Sequence, residues 1–121
     1  MKILMGLHER SLDSLFGEIA QDNSHTVIRP DKTPELNYKS IIALLDDKPD
    51  RVLMDSNYGS PGSNNITPII EVRKRMLELG YDVNNSLLGI SGNDYAHQEA
   101  EKAGINSSLK PSLEKIFEFL A

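Results

Sequence analysis

The sequence predicts an α/β fold in which a doubly wound, five-stranded parallel sheet is covered by five helices. Short apolar runs that suit strands alternate strictly with runs whose apolar residues recur at helical spacing, which is the pattern of a parallel sheet covered on both faces. Because crossovers between parallel strands are right-handed, this alternation places helices on both faces. Three of the apolar runs also end on a polar residue, namely Asp55, Ser91 and Lys110.

The five predicted strands are short apolar runs bounded by polar or loop-forming residues. In chain order they cover Lys2 to Leu7, His25 to Arg29, Asp50 to Asp55, Ser86 to Ser91 and Ile105 to Leu109. Segments rich in proline, glycine, serine and asparagine lie between strands and helices, above all at 30–34 and 56–65, and they predict loops.

Each of the five predicted helices carries one apolar stripe, and most have a start or stop signal. They cover Ser11 to Asp22, about Leu36 to Leu45, Ile66 to Leu79, about Asn93 to Ala103, and Pro111 to the last residue. Asn93 or Asp94 is placed to cap the fourth helix. Gly80 and Gly104 are placed to end the third and the fourth. Pro111 suits the first turn of the last helix, because its missing N–H would have no partner there.

The composition is that of one globular domain spanning residues 1–121. Hydrophobic residues make up 39% of the chain and charged residues 26%, which is typical of a soluble protein. The formal net charge is −5 and the basic residues are scattered, so a nucleic-acid partner is not expected. No apolar run approaches the roughly 20 residues of a membrane span, and a membrane partner is not expected either. The absence of cysteine excludes disulfides and zinc–thiolate sites and agrees with a cytoplasmic location.

The three polar residues that end apolar runs predict a shared site. In an open parallel sheet, ligands bind just beyond the carboxyl ends of the strands. If the three runs are neighbouring strands, the Asp55 carboxylate, the Ser91 hydroxyl and the Lys110 ammonium converge there. This combination suits a carboxylate that is phosphorylated while the other two groups stabilise the phosphoryl oxygens.

At this point the chain resembles the receiver domain of two-component response regulators, over essentially its whole length. The resemblance rests on Arg51 to Asn57 (RVLMDSN) at the third strand and on Gly89 to Gly92 (GISG) at the fourth. It rests also on Ala103-Gly104 and on Leu109 to Pro111 (LKP) around the fifth. It implies the strand order 2-1-3-4-5, which would bring the first, third, fourth and fifth strands side by side.

The resemblance also implies a function. Asp55 would accept a phosphoryl group from a histidine kinase or phosphotransfer protein, with no enzymatic activity beyond self-phosphorylation and self-dephosphorylation. Lys110 would pair with the phosphoryl group, and the Ser91 hydroxyl would bond one of its oxygens. A magnesium ion would be held by Asp55, Glu9 and the backbone carbonyl of Asn57. A downstream protein target would read the phosphorylated state.

Three features depart from the family pattern. An acidic pair usually follows the first strand, but here the segment reads Leu7-His8-Glu9-Arg10, so Glu9 is the acidic ligand that remains and metal affinity is in question. His8 is either a metal ligand, a pH-sensitive neighbour or a structural residue. An aromatic switch residue is replaced by Ser107. The loop 56–65 is longer than usual, and either partly covers the site, contacts a partner or is simply exposed.

Three functions follow from these observations. The first is a stand-alone receiver, because no output domain follows Lys110 in this sequence. The second is a degenerate receiver that binds a protein partner independently of phosphorylation. The third is a small flavodoxin-like enzyme or ligand-binding domain, which the absence of a glycine-rich phosphate loop after the first strand argues against.

Other polar and aromatic residues are expected outside the site. Asp13 is expected to face solvent, and His97 to lie on the polar face of its helix. Tyr95 is expected to be partly buried on the same helix as His97.

Overall fold

The computed structural model describes residues 1–31, 37–109 and 113–121, and these ranges contain five strands and six helices. The strands are β1 (Lys2–Gly6), β2 (Thr26–Ile28), β3 (Arg51–Asp55), β4 (Leu87–Ser91) and β5 (Ser107–Leu109). The helices are α1 (Arg10–Asp22), α2 (Tyr38–Leu44), α3 (Thr67–Glu78), α4 (Val83–Ser86), α5 (Asp94–Lys102) and α6 (Glu114–Leu120), and a turn of 3-10 helix (Leu45–Asp47) follows α2.

All five strands form one parallel sheet in the order β2-β1-β3-β4-β5, which confirms the predicted fold and strand order. The register decides what meets at the carboxyl edge. Asp55 at the end of β3 lies opposite Ile90, one residue before the end of β4. Ser91 at the end of β4 lies opposite Leu109, the last residue of β5.

Two apolar cores cover the two faces of the sheet, because successive side chains of a strand point to opposite faces. In β3, Leu53 enters the core beneath α1 and α6, whereas Val52 and Met54 enter the core beneath α2, α3 and α5. The interiors of the central strands β3 and β4 are therefore apolar, and the polar residues of these strands lie at the strand ends.

The capping signals act as predicted. The Asn93 side chain accepts a hydrogen bond from the Ala96 N–H at 2.8 Å and caps α5. Gly80 and Gly104 take left-handed conformations, with φ of 89° and 76°, just beyond α3 and α5.

Several predicted boundaries were wrong. We expected five helices, but the described residues contain a sixth, α4. This short helix forms because the backbone N–H groups of Asn85 and Ser86 donate to the Asp82 carbonyl. The fifth strand does not begin at Ile105, whose N–H instead bonds the Ala100 carbonyl at the end of α5.

Other element ends differ less. β1 ends at Gly6 rather than Leu7, and β2 is limited to Thr26–Ile28. The predicted beginnings of the second and last helices, at Leu36 and Pro111, lie outside the described residues. In the described part of the chain no helix has the length and apolar character needed to cross a membrane.

The stability of the fold should fall at alkaline pH through Tyr81. Its hydroxyl donates to the Pro49 carbonyl at 2.7 Å, and burial, followed by the Asp50 charge, raises the pKa of this hydroxyl above 10.0. Since the unfolded chain loses this proton at a lower pH, the stabilisation is present below about pH 10 and is lost as pH rises through the folded-state pKa.

We therefore expect the free energy of unfolding, measured in urea from about pH 9 to about pH 11, to fall less steeply in Tyr81→Phe than in wild type. Tyr95→Phe is the control, because Tyr95 is 59% exposed. Identical slopes in wild type and Tyr81→Phe would contradict the prediction.

Candidate functional site

The Asp55 carboxylate lies in a cavity of about 260 Å³ at the carboxyl edge of the sheet. Glu9 and Asn57, the other two predicted metal-site residues, line the same cavity. Part of the loop 56–65 forms another wall, through residues 61–63. The loop therefore partly covers the site, as one of the three sequence interpretations expected.

Hydrogen bonds within the loop hold it over the cavity. The Asn57 side-chain amide donates to the carbonyls of Ser60 at 3.2 Å and Ser63 at 2.9 Å. The side-chain amide of Asn93 donates to Asn64 Oδ1 at 2.6 Å, which ties the loop to the beginning of α5. The far end of the loop is thus attached to β4 and α5, and its near end to β3.

His8 holds the Asp55 carboxylate. The His8 backbone N–H donates to Asp55 Oδ2 at 2.6 Å, and His8 Nδ1 lies 3.2 Å from the same oxygen. The backbone N–H of Gly59 donates to His8 Nε2 at 2.8 Å. Because Nε2 accepts a hydrogen bond, the ring proton is on Nδ1, and the neutral imidazole donates it to Asp55. Gly59 therefore fixes His8, and His8 fixes the rotation of the carboxylate.

Tyr58 forms an apolar wall behind His8. The two rings stack with centroids 5.3 Å apart and planes 5° apart. Tyr58 is 1% exposed, and its hydroxyl has no hydrogen-bond partner among the described residues. Burial raises the pKa of this hydroxyl, and the charges of Asp55 and Asp13 raise it further. The sequence placed Tyr58 only in a loop, and no local pattern reveals that it is buried.

Ser91 lies at the predicted edge, but its hydroxyl bonds two other serines. Ser91 Oγ is 3.0 Å from Ser56 Oγ and 3.0 Å from Ser107 Oγ. All three serines are 1% exposed. In this arrangement Ser91 is not among the described residues that line the cavity. A phosphoryl group on Asp55 would therefore require the Ser91 hydroxyl to change partner.

His97 was expected to play no part, yet it extends this chain of serines. His97 Nδ1 is 2.9 Å from Ser107 Oγ, and His97 Nε2 is 3.0 Å from Glu101 Oε1. A signal was present in the sequence, because Ser107 is small and leaves room for a side chain from α5.

Two further expectations were wrong, and one is outside the described residues. Asp13 is 8% exposed and pairs with the Arg29 guanidinium at 2.9 Å, so it does not face solvent. Tyr95 is 59% exposed rather than partly buried. Lys110 lies outside the described residues, so its role stays a prediction.

The described residues contain no group of three or more histidine, aspartate and glutamate side chains that could hold a metal ion. Asp55, Glu9 and the Asn57 carbonyl remain the predicted magnesium donors, and an ion bound there would supply positive charge to phosphoryl oxygens. His8, which follows the first strand, gives Asp55 two N–H donors. Magnesium binding stays a prediction, and the function proposed below includes no step through the ion.

The Tyr58 and Tyr81 hydroxyls should respond oppositely to removal. We expect Tyr58→Phe to raise the free energy of unfolding at neutral pH by about 1 kcal/mol, because it removes a buried hydroxyl that has no hydrogen-bond partner in the described part of the chain. Tyr81→Phe, the matched control, should lower it by about 1 kcal/mol, because it leaves the Pro49 carbonyl without its donor. Urea denaturation measures both changes. An equal decrease in the free energy of unfolding of both variants would indicate that the Tyr58 hydroxyl does make a hydrogen bond.

Comparisons with known proteins add a fold likeness only. No protein-family model matches the chain, and no curated protein matches it. Among solved structures, it is similar to the uroporphyrinogen III synthase of Thermus thermophilus, with 13% sequence identity and a TM-score of 0.36. The match covers 90% of this chain and 42% of that chain, so this chain spans less than half the length of the synthase. A likeness this weak carries no argument about function.

Proposed function

We propose that this chain is a receiver domain that accepts a phosphoryl group on Asp55 from a histidine kinase or a phosphotransfer protein, in the cytoplasm. One observation carries the proposal. Asp55 ends the third strand of a parallel sheet ordered 2-1-3-4-5 and lies in an open cavity, and the neighbouring strand ends in the Ser91 hydroxyl. The position of Asp55 supports the proposal, because the resemblance to receivers implies an acceptor at the end of the third strand.

The chemistry needs a positioned carboxylate more than a strong base. One carboxylate oxygen of Asp55 attacks phosphorus, a P–O bond forms, and the P–N bond to the donor imidazole breaks. Its electron pair stays on that nitrogen, and the product imidazole is neutral when its other nitrogen carries the proton. Asp55 loses no proton in this step. The two His8 donors hold the carboxylate in one rotation, and such positioning is a main source of rate in phosphoryl transfer.

Ser91 supplies a hydrogen bond in the proposed product. Once its hydroxyl turns from Ser107 to a phosphoryl oxygen, it offsets part of the added negative charge. A hydrogen bond to a charged group contributes about 1.5–3 kcal/mol. Lys110 completes the predicted set from the sequence alone.

A second candidate function is a binding module that works without phosphorylation. The His8 contacts favour it, because two N–H donors already occupy Oδ2 of Asp55 and the described side chains form no metal group. In this case a protein partner would recognise a surface that does not change with the state of Asp55.

Phosphorylation of Asp55 is directly testable. We expect incubation with acetyl phosphate and magnesium to add a single phosphoryl group to wild type, as measured by intact mass. Asp55→Asn should take up none. Asp50→Asn is the matched control, since Asp50 adjoins the opposite end of β3 and an asparagine oxygen can still accept from the Lys2 N–H. Absence of the adduct in wild type across a wide magnesium range would contradict phosphotransfer.

Ser91→Ala should slow phosphorylation without abolishing it. If the hydroxyl bonds the phosphoryl group in the transition state, its loss should reduce the rate about 10- to 100-fold. Ser86→Ala, which changes a serine just before the opposite end of β4, should keep the wild-type rate. Equal rates for Ser91→Ala and wild type would remove Ser91 from the proposed site.

The two candidate functions predict different affinities of a protein partner for the phosphorylated and the unphosphorylated protein. A partner that requires phosphorylation should bind phosphorylated wild type at least about tenfold more tightly than Asp55→Asn. Equal affinities for unphosphorylated wild type, phosphorylated wild type and Asp55→Asn would support the binding module instead.

A further inference from the structure

A continuous chain of hydrogen bonds joins the acceptor edge to the surface of α5. Ser56, which directly follows Asp55, contacts Ser91, which contacts Ser107. Ser107 contacts His97 Nδ1, and His97 Nε2 contacts Glu101. Each of the four contacts measures 2.9–3.0 Å. The serines are buried, whereas the His97 side chain is 21% exposed, so only the far end of the chain reaches solvent.

We call Ser56, Ser91, Ser107 and His97 the relay. The number of protons available fixes which group donates in each of its hydrogen bonds. The Glu101 carboxylate only accepts, so the neutral His97 ring carries its proton on Nε2 and leaves Nδ1 as an acceptor. Ser107 has one hydroxyl proton, and Nδ1 takes it. Ser107 must then accept from Ser91.

By the same count Ser91 has already given its only proton to Ser107, so it accepts from Ser56. With neutral His97, the Ser91 proton therefore points toward β5 and away from Asp55. In this state the Ser91 hydroxyl has no proton to donate to a phosphoryl group on Asp55.

We propose that His97 is a positioning residue whose protonation turns the Ser91 hydroxyl toward a phosphoryl group on Asp55. Protonated Nδ1 donates to Ser107, and Ser107 then donates to Ser91. The Ser91 proton is released from the relay and bonds the phosphoryl oxygen. The only covalent bond formed is the N–H bond at His97 Nδ1, and its proton comes from solvent. This inference rests on the proposed function, because it concerns the same acceptor.

Charged groups on two helices lie around His97. Glu101 on the same helix contacts Nε2 at 3.0 Å. From α6, Glu114, Glu118 and Lys115 line a cavity of about 350 Å³ with His97, and Lys115 Nζ donates to the Ser107 carbonyl at 2.8 Å. Two carboxylates and one ammonium thus face the ring from α6, so the net charge on that side is negative. Histidine is the side chain that gains a proton near neutral pH.

Coupling of this kind is reciprocal. If protonation of His97 stabilises the phosphorylated state by some factor, phosphorylation of Asp55 must raise the proton affinity of His97 by the same factor. A hydrogen bond to a charged group predicts a factor of about ten or more, which corresponds to an upward shift of about one pH unit in the midpoint of His97 protonation.

Nitrogen-15 NMR of the His97 ring tests the proposal in the intact protein. In unphosphorylated wild type at alkaline pH we expect the neutral His97 ring to be protonated on Nε2 and unprotonated on Nδ1. After phosphorylation with acetyl phosphate, the midpoint of His97 protonation should rise by about one pH unit. Ser107→Ala and Ser91→Ala interrupt the relay at different points, and in both the midpoint should stay the same on phosphorylation. Ser86→Ala, which changes a serine just before the opposite end of β4 and outside the relay, should behave as wild type.

Two results would overturn the proposal while leaving the proposed function intact. One is a wild type that is phosphorylated on Asp55 but shows no shift of the His97 midpoint. The other is a shift of the same size in wild type and in both relay variants, which would indicate a through-space charge effect. If Asp55 takes up no phosphoryl group, the proposed function fails first and the coupling fails with it.

Discussion

The parallel register between β3 and β4 is the constraint on which the site depends. It sets Asp55 opposite Ile90, and the Ser56 N–H donates to the Ile90 carbonyl at 3.0 Å just beyond the last pair. Since side chains alternate along a strand, consecutive residues 55 and 56 point to different sides of the sheet. Asp55 therefore faces the cavity, while Ser56 reaches the Ser91 hydroxyl. A slip of one residue would exchange these roles.

Neutral N–H groups contact Oδ2 of Asp55. Both N–H groups of His8 point to Oδ2, and the Gly59 N–H fixes the ring that carries one of them. Tyr58 keeps water from the far face of that ring. This arrangement restricts the rotation of the carboxylate.

The fold followed from the sequence because its signals are local. Apolar runs, helical stripes and the asparagine and glycine caps each lie within a few residues of the element that they define. The polar strand ends predicted that Asp55, Ser91 and Lys110 meet at the edge. Asp55 and Ser91 both lie there but contact different partners, and the place of Lys110 stays a prediction. His8 and Asp55 are 47 positions apart, and His8 and Gly59 are 51 apart, so their contacts depend on tertiary packing that no local pattern shows. The burial of Asp13 and the link from Ser107 to His97 escaped the sequence for the same reason.

The most direct test of the account is to locate the phosphoryl group itself. Acyl phosphates are reduced by borohydride, so a phosphorylated aspartate is converted to homoserine, which peptide mass spectrometry assigns to one position. The account predicts homoserine at position 55 after treatment with acetyl phosphate. Homoserine at another aspartate, or a phosphate that stays on a serine such as Ser91 or Ser107, would contradict Asp55 as the acceptor.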